Sequence, residues 1–304
     1  MIDNTSRRDT LRCLALGTGT LFTLAGGIVT PIDLALAATK PTAGMPLFLQ
    51  ISDSHIGFNK DANPNTAGTL SKAIALVNAL PEKPAMTIHT GDITHLSKAS
   101  EFDMAARILS GLRTGELHTV PGEHDVTDGP GAEYFARFGK ASNNMGYYSF
   151  DYHGVHFIAL VNVMNFKPNG LGALGDDQLA WLKNDLAGRS SSTPIVVFAH
   201  MPLWTIYEQW GWGTGDSEQA MNYLRRFGSV TVLNGHIHQI VQKVEGNITF
   251  HTARSTAYPQ PQAGVGDGPG PLKVPGDMLA KMLGITSVSV NSDRSLFLSD
   301  TTLA

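Results

Sequence analysis

The sequence predicts an α/β fold, and three observations carry that prediction. From Leu47 onward, short apolar runs of strand length alternate with longer runs of helical period. The connections between them are brief, so strands joined through a helix run parallel. Strand after strand ends next to Asp, Glu or His, an arrangement that gathers side chains along one edge of a parallel sheet.

Composition sets the scale. The 304 residues are 42% hydrophobic, enough to bury a sizeable single core in a globular chain. The formal charge is −4 and no basic run offers a nucleic-acid footprint. Residues 1–37 stand apart from the core. Arg7 and Arg8 precede an apolar, uncharged run from Leu14 to Thr30, and Ala35-Leu36-Ala37 supplies a small-x-small cleavage pattern. The segment reads as a signal for the twin-arginine export machinery, removed after Ala37, which places the mature protein in the periplasm or outside the cell. The apolar run is short and interrupted by glycines, so no transmembrane helix is expected to remain. Cys13, the only cysteine, lies in the removed segment. The mature chain must therefore hold any metal through His, Asp, Glu, Asn or Tyr. Residues 38–46 read as a linker and 47–304 as one domain.

Leu47 to Ser52 is a short apolar strand that delivers Asp53-Ser54-His55 at its carboxyl end. Residues two apart on extended chain face the same side, so this carboxylate and imidazole can share an ion. Thr66 to Leu80 has helical spacing and ends at Pro81. Ala85 to His89 is the next strand and opens onto Thr90-Gly91-Asp92-Ile93-Thr94-His95. Asp92 is expected beside Asp53; His95 either reaches the same ion or caps the following segment; His89 packs within its strand. Ser100 to Leu112 is helical, ended by Gly115, and Leu117 to Val120 leads into Pro121-Gly122-Glu123-His124-Asp125. Charged groups at neighbouring strand ends repel one another unless a cation lies between them, and here the pattern recurs.

Gly131 to Gly139 is a short helix. Tyr147 to Tyr152 and Val155 to Val161 form a hairpin, with His153 and His156 structural. Asp176 to Leu186 is an amphipathic helix, and Pro194 to Ala199 is a buried strand ending at His200. Trp204, Tyr207, Trp210 and Trp212 then crowd a glycine-containing loop that either walls the site or packs its rings on the domain body. A helix from Asp216 to Phe227 leads into the strand at Thr231, which breaks at Gly235 and offers His236 and His238 on one face. Ile240 to Glu245 pairs with Ile248 to His251, Ala263 to Pro275 is a loop, and Val288 to Val290 with Ser295 to Leu298 makes a last hairpin. Arg254 faces either a substrate phosphate or an ordinary ion-pair partner.

As an ordered set, Asp-x-His, Gly-Asp, Gly-x-His-Asp, a strand-end His and Gly-His-x-His closely resemble the calcineurin-like metallophosphoesterase family, from roughly Leu47 to Ala257. The resemblance implies two mixed β-sheets packed as a sandwich flanked by helices, with a two-metal site at the sheet edge. It implies hydrolysis of phosphodiesters or phosphomonoesters of a small molecule or lipid. The two ions, divalent or of mixed valence (iron, manganese or zinc), would lower the pKa of a shared water toward about 7. On the matching positions, Asp53, His55 and His238 would bind one ion, Asp92 would bridge, and His200 and His236 would bind the other. His124 would stand at the phosphate with Asp125 orienting its ring.

One position departs from the family pattern: Glu123 stands where Asn is usual. Glu can still ligate the second ion, but a third ligand carboxylate lowers the net charge of the loaded site by one unit. That disfavours a dianionic monoester relative to a monoanionic diester, or favours a trivalent ion such as iron. The alternative is an exported metal-containing binding or scaffold protein whose catalysis Glu123 has impaired. His95 sits three residues after Asp92, the spacing at which purple acid phosphatases carry an iron-binding Tyr, and implies an additional ligand or a support for one.

Overall fold

The computed structural model describes residues 20–25, 28–33, 47–81, 83–142, 145–165, 170–290 and 296–304. The chain divides into two compact units, Met1–Thr42 and Ala43–Ala304. In the first, β1 (Thr20–Ala25) and β2 (Ile28–Asp33) pair antiparallel, inside the stretch read as an export signal. The paired arginines, Cys13, the Ala35-Leu36-Ala37 pattern and the linker lie outside the described residues. Among the described residues no helix is long and apolar enough to cross a membrane.

The second unit is built on two mixed sheets. In one, β3 (Leu47–Ile51), β4 (Met86–His89) and β5 (Glu116–Thr119) run parallel. The crossover helices α1 (Thr66–Asn78) and α2 (Ala99–Leu109) impose that direction. α1 starts at Asn65, whose side chain accepts the Gly68 N–H at 2.9 Å, and it ends ahead of Pro81. β12 (Gly284–Val290) lies antiparallel to β3, and β13 (Leu296–Thr302) completes the order β13-β12-β3-β4-β5.

The other sheet has six strands in the order β10 (Gln242–Glu245), β11 (Ile248–Thr252), β9 (Val230–Asn234), β8 (Ile195–Phe198), β7 (Val155–Ala159), β6 (Tyr148–Tyr152). Its four central strands are parallel and its two edges antiparallel.

The two sheets face each other through one apolar cluster that includes Phe48, Ile88, Phe157, Phe198 and Leu233, with Phe48 and Phe157 edge to face at 5.4 Å. On the outer face of the six-stranded sheet lie α4 (Asp176–Leu186) and α5 (Ser217–Leu224); on that of the five-stranded sheet lie α1, α2 and α3 (Ala132–Phe138). The result is the expected sandwich flanked by helices.

Two details differ from the sequence reading. The helix α6 (Gly276–Met282) follows the Pro/Gly-rich loop. The final pair of strands is also longer than expected, and β12 continues the first sheet beside β3 instead of standing as a free hairpin. Its buried Ile285 and Val288 are recruited by the cores on either face, a tertiary demand stronger than the weak local pattern.

Candidate metal centre

The carboxyl ends of β3, β4, β8 and β9 meet at one edge, and each strand there turns into a ligand-bearing loop. The turns are strained. Asp53, His55, Asp92, His236 and His238 all have positive φ, from 41° to 71°, although none is glycine. Such conformations cost of order 1–3 kcal/mol each and persist where the surroundings over-determine them. Glycines let the backbones come close enough: a Cβ on Gly122 would strike the Asp92 carboxylate, and one on Gly235 would strike Ser52 and the Asp53 carboxylate.

Two triads result. In the first, His238 Nε2 lies 3.3 Å from Asp53 Oδ1 and 3.2 Å from His55 Nε2. In the second, Glu123 spans His200 Nε2 at 2.8 Å and His236 Nδ1 at 3.0 Å. Asp92 Oδ2 joins them, 3.4 Å from His55 Nε2 and 3.5 Å from His200 Nε2. The far sides of the ligands are tied down. His200 Nδ1 donates to the Thr90 carbonyl at 2.7 Å and His238 Nδ1 to the Tyr258 carbonyl at 2.6 Å. The backbone N–H groups of His236 and His124 donate to Asp53 Oδ1 and Asp92 Oδ1, both at 3.0 Å.

This donor set fits metal ions. Glu123 Oε2, His200 Nε2 and both ring nitrogens of His236 are buried without an aligned hydrogen-bond partner. Three of these atoms meet only other groups of the cluster, chiefly through the Glu123 contacts, and His236 Nε2 meets no partner among the described residues, at a cost of about 1–3 kcal/mol for such a group. Carboxylate oxygens and imidazole nitrogens that converge in this way suit a borderline cation. Both triads, and the set Asp53, Asp92 and His200, hold their ligand atoms within 4.8 Å of one another.

The charges agree. Burial and the neighbouring His124 and His238 hold the His55 ring well below the usual imidazole range, so it stays neutral. Burial would raise Asp53 and Glu123, but the facing histidines outweigh it and keep both carboxyls low; for Glu123 these are His236 and His200. Burial opposes charge on His200 and His124 too, yet Asp92 and Glu123 raise both.

Every ligand position expected from the sequence, Asp53, His55, Asp92, Glu123, His200, His236 and His238, lies in this cluster. His95 lies at its side: its ring stacks on His124 with centroids 4.9 Å apart, and its Nδ1 is 3.5 Å from His55 Nδ1.

Asp125 departs from its expected role. The His124 ring is oriented by the His95 carbonyl, which accepts from Nδ1 at 2.7 Å. The Asp125 carboxylate instead accepts N–H groups of Ile93, Thr94 and Gly122 at 2.8 to 3.0 Å, together with the Thr94 hydroxyl, and so staples the Asp92 loop to the Glu123 loop. Burial and the Asp92 charge push this carboxyl up to about 7 against those donors.

A cavity of about 440 Å³ opens onto the cluster through His55, Asp92, Glu123, His124 and His236. Of the four aromatics expected to wall it, Trp210 and Trp212 do. Trp204 does not: it packs on Phe250, with Lys243 over its ring. Tyr207 is not on the cavity either and touches Trp210 and the Gly264 loop. Among the described residues Arg254 lies neither on the cavity nor in an ion pair; it donates to the Met282 carbonyl.

Much of the remaining wall comes from Phe58, Lys60, Met201, Tyr258 and Gln260 and from Pro269 to Pro271, which the sequence reading missed. A signal for Tyr258 exists. β11 is parallel to β9, so the chain leaving it reaches the same edge, where Ser255 also bonds the Asp53 carbonyl at 2.8 Å.

The chain belongs to the calcineurin-like phosphoesterase family, whose model matches residues 46–240. Among curated relatives, it is 25% identical over 224 residues to a serine/threonine-protein phosphatase of Danio rerio, a match covering 66% of this chain and 72% of the relative. It is likewise 25% identical over 229 residues to a glycerophosphodiester phosphodiesterase of Enterobacter lignolyticus, covering 71% and 79%. The crystal structure of a dimetal phosphatase from Danio rerio shares the fold, with a TM-score of 0.67 at 14% identity over 87% of this chain and 98% of that one.

Proposed function

We propose that this chain is an exported, metal-dependent phosphoesterase with two ions in its site and a preference for phosphodiesters. The convergence of two ligand triads on the shared oxygen Asp92 Oδ2, with His124 beside them on an open cavity, is the observation that carries the reading. Asp53, His55 and His238 would hold one ion and Glu123, His200 and His236 the other, with Asp92 common to both. Such ions, when bound, supply Lewis-acid polarisation of a phosphoryl oxygen and acidify water at neutral pH.

The chain's own residues do the rest. His124 is anchored through Nδ1 and lines the cavity; burial opposes charge on its ring, but in the ion-free chain Asp92 and Glu123 raise it, and it would donate to the leaving oxygen. Glu123 adds a negative charge opposite the phosphate, and Lys60 is the one lysine or arginine side chain among the described lining residues. That balance admits a monoanionic diester more readily than a dianionic monoester. Phe58, Trp210 and Tyr258 give the second ester arm an apolar surface. The two relatives' names, one a phosphatase and one a phosphodiesterase, support a phosphate ester as substrate. Arg7 and Arg8 ahead of the apolar run support export.

Rates on bis(4-nitrophenyl) phosphate and 4-nitrophenyl phosphate, measured with zinc, manganese or iron, test the reading. Faster diester turnover is expected. Equal rates would defeat the diester preference, and retained ions with no turnover would favour a binding or scaffold protein instead. Replacing Arg7 and Arg8 by Lys should abolish removal of the leader in cells.

A further inference from the structure

His95 has no task in the chemistry above, yet it touches two residues that do. Three histidines of the centre turn Nε2 toward it, and each needs a partner for Nδ1. His200 and His238 use backbone carbonyls, at 2.7 and 2.6 Å. Among the described residues His55 Nδ1 meets no carbonyl; it faces the ring nitrogen Nδ1 of His95 at 3.5 Å. The His95 main chain is fixed independently. Its N–H donates to the Ile56 carbonyl at 3.0 Å, and the two residues before it are held by Asp125. Its ring is wedged between His124, stacked at 4.9 Å, and Phe58, edge-on at 5.2 Å.

We infer that His95 is a positioning residue whose ring nitrogen accepts the Nδ1 proton of His55, fixing the tautomer in which His55 offers Nε2 to an ion. Its backbone carbonyl does the same for His124, so one residue sets the proton positions of a ligand and of the proposed acid. The inference rests on the reading of Asp53, His55 and His238 as an ion site. The ring contact is the longest of the three Nδ1 contacts, which places its contribution at the lower end of the usual range for such partners.

Zinc titration of the metal-stripped full-length chain against a competing chelator, for wild type, His95→Phe and His95→Asn, tests it. Phe keeps the ring stacking and loses the acceptor; the Asn side-chain oxygen falls near the place of Nδ1. The Phe variant should weaken the tighter binding step about tenfold, leaving the other step and the metal-free melting temperature unchanged, and Asn should recover affinity to within about threefold of wild type. Wild-type binding by the Phe variant would overturn the inference, as would an equal fall of both steps and of the melting temperature in both variants, the mark of a packing role. Absence of zinc uptake by wild type would instead overturn the ion site itself, and the inference with it.

Discussion

The two triads use similar chemistry in different settings. Asp53, His55 and His238 have side chains only 0 to 2% exposed, and all three stand on strained backbone. In the second triad His200 is fully buried, but Glu123 and His236 are 19% and 11% exposed, line the cavity, and leave both His236 ring nitrogens without a hydrogen bond. The first is the more deeply buried holder, with only His55 reaching the cavity; the second lies more toward the cavity and carries strained backbone only at His236. An ion in the second should therefore exchange first, and the substrate should feel Glu123 more than Asp53.

Removing what the two triads share should have the largest effect. Asp92→Ala should lower ion content at both positions and cut diester hydrolysis by more than about a hundredfold, the upper end for lost metal-site partners. His124→Ala tests the cavity side alone: activity should fall by about 10²–10⁴-fold with ion content unchanged, and loss of ions would show the residue to be a ligand instead.

Glu123→Asn separates the triads by charge. The ratio of monoester to diester kcat/KM should rise by about tenfold, or ~1.4 kcal/mol, with the first triad's affinity unaffected.

Proton release distinguishes them further. The facing carboxylates raise His200, so without an ion it carries a proton, whereas His55 is already neutral. The imidazolium contact with Glu123 stabilises the ion-free protein at low pH and is lost as pH rises through the raised His200 value. Ion binding there must expel that proton, so affinity should climb with pH and about one proton should appear in weakly buffered titrations. The smallest effect belongs to Trp210→Ala, a few-fold rise in KM for aryl diesters, since it removes only wall surface.

The parts of the site legible in the sequence were those whose chemistry is local. Asp53, His55, Asp92, Glu123, His124, His200, His236 and His238 each follow a strand within a few residues, and parallel strands deliver such residues to one edge whatever their neighbours. The parts that were not legible depend on which distant group each side chain meets. Asp125 and His95 illustrate this: the expected partner of the His124 ring is adjacent in sequence, but the 3-10 turn from Glu123 to Asp125 points that carboxylate at backbone N–H groups across the loop, leaving the ring to the His95 carbonyl. Among the aromatics, Gly211 at φ 69° reverses the chain between Trp210 and Trp212, bringing both to the cavity while Trp204 stays with Phe250.

The sequence by itself determined the strand-helix alternation, the ligand inventory and hence the class of chemistry, because residue type and spacing along one strand end suffice for these. The grouping of the ligands and the shared place of Asp92 followed from the family resemblance and not from spacing along the chain; the tertiary structure supplied the distances that join them and decided what orients each ring. Those are distances between groups up to some two hundred positions apart, such as Ser255 and Asp53, and only the packing of the two sheets sets them.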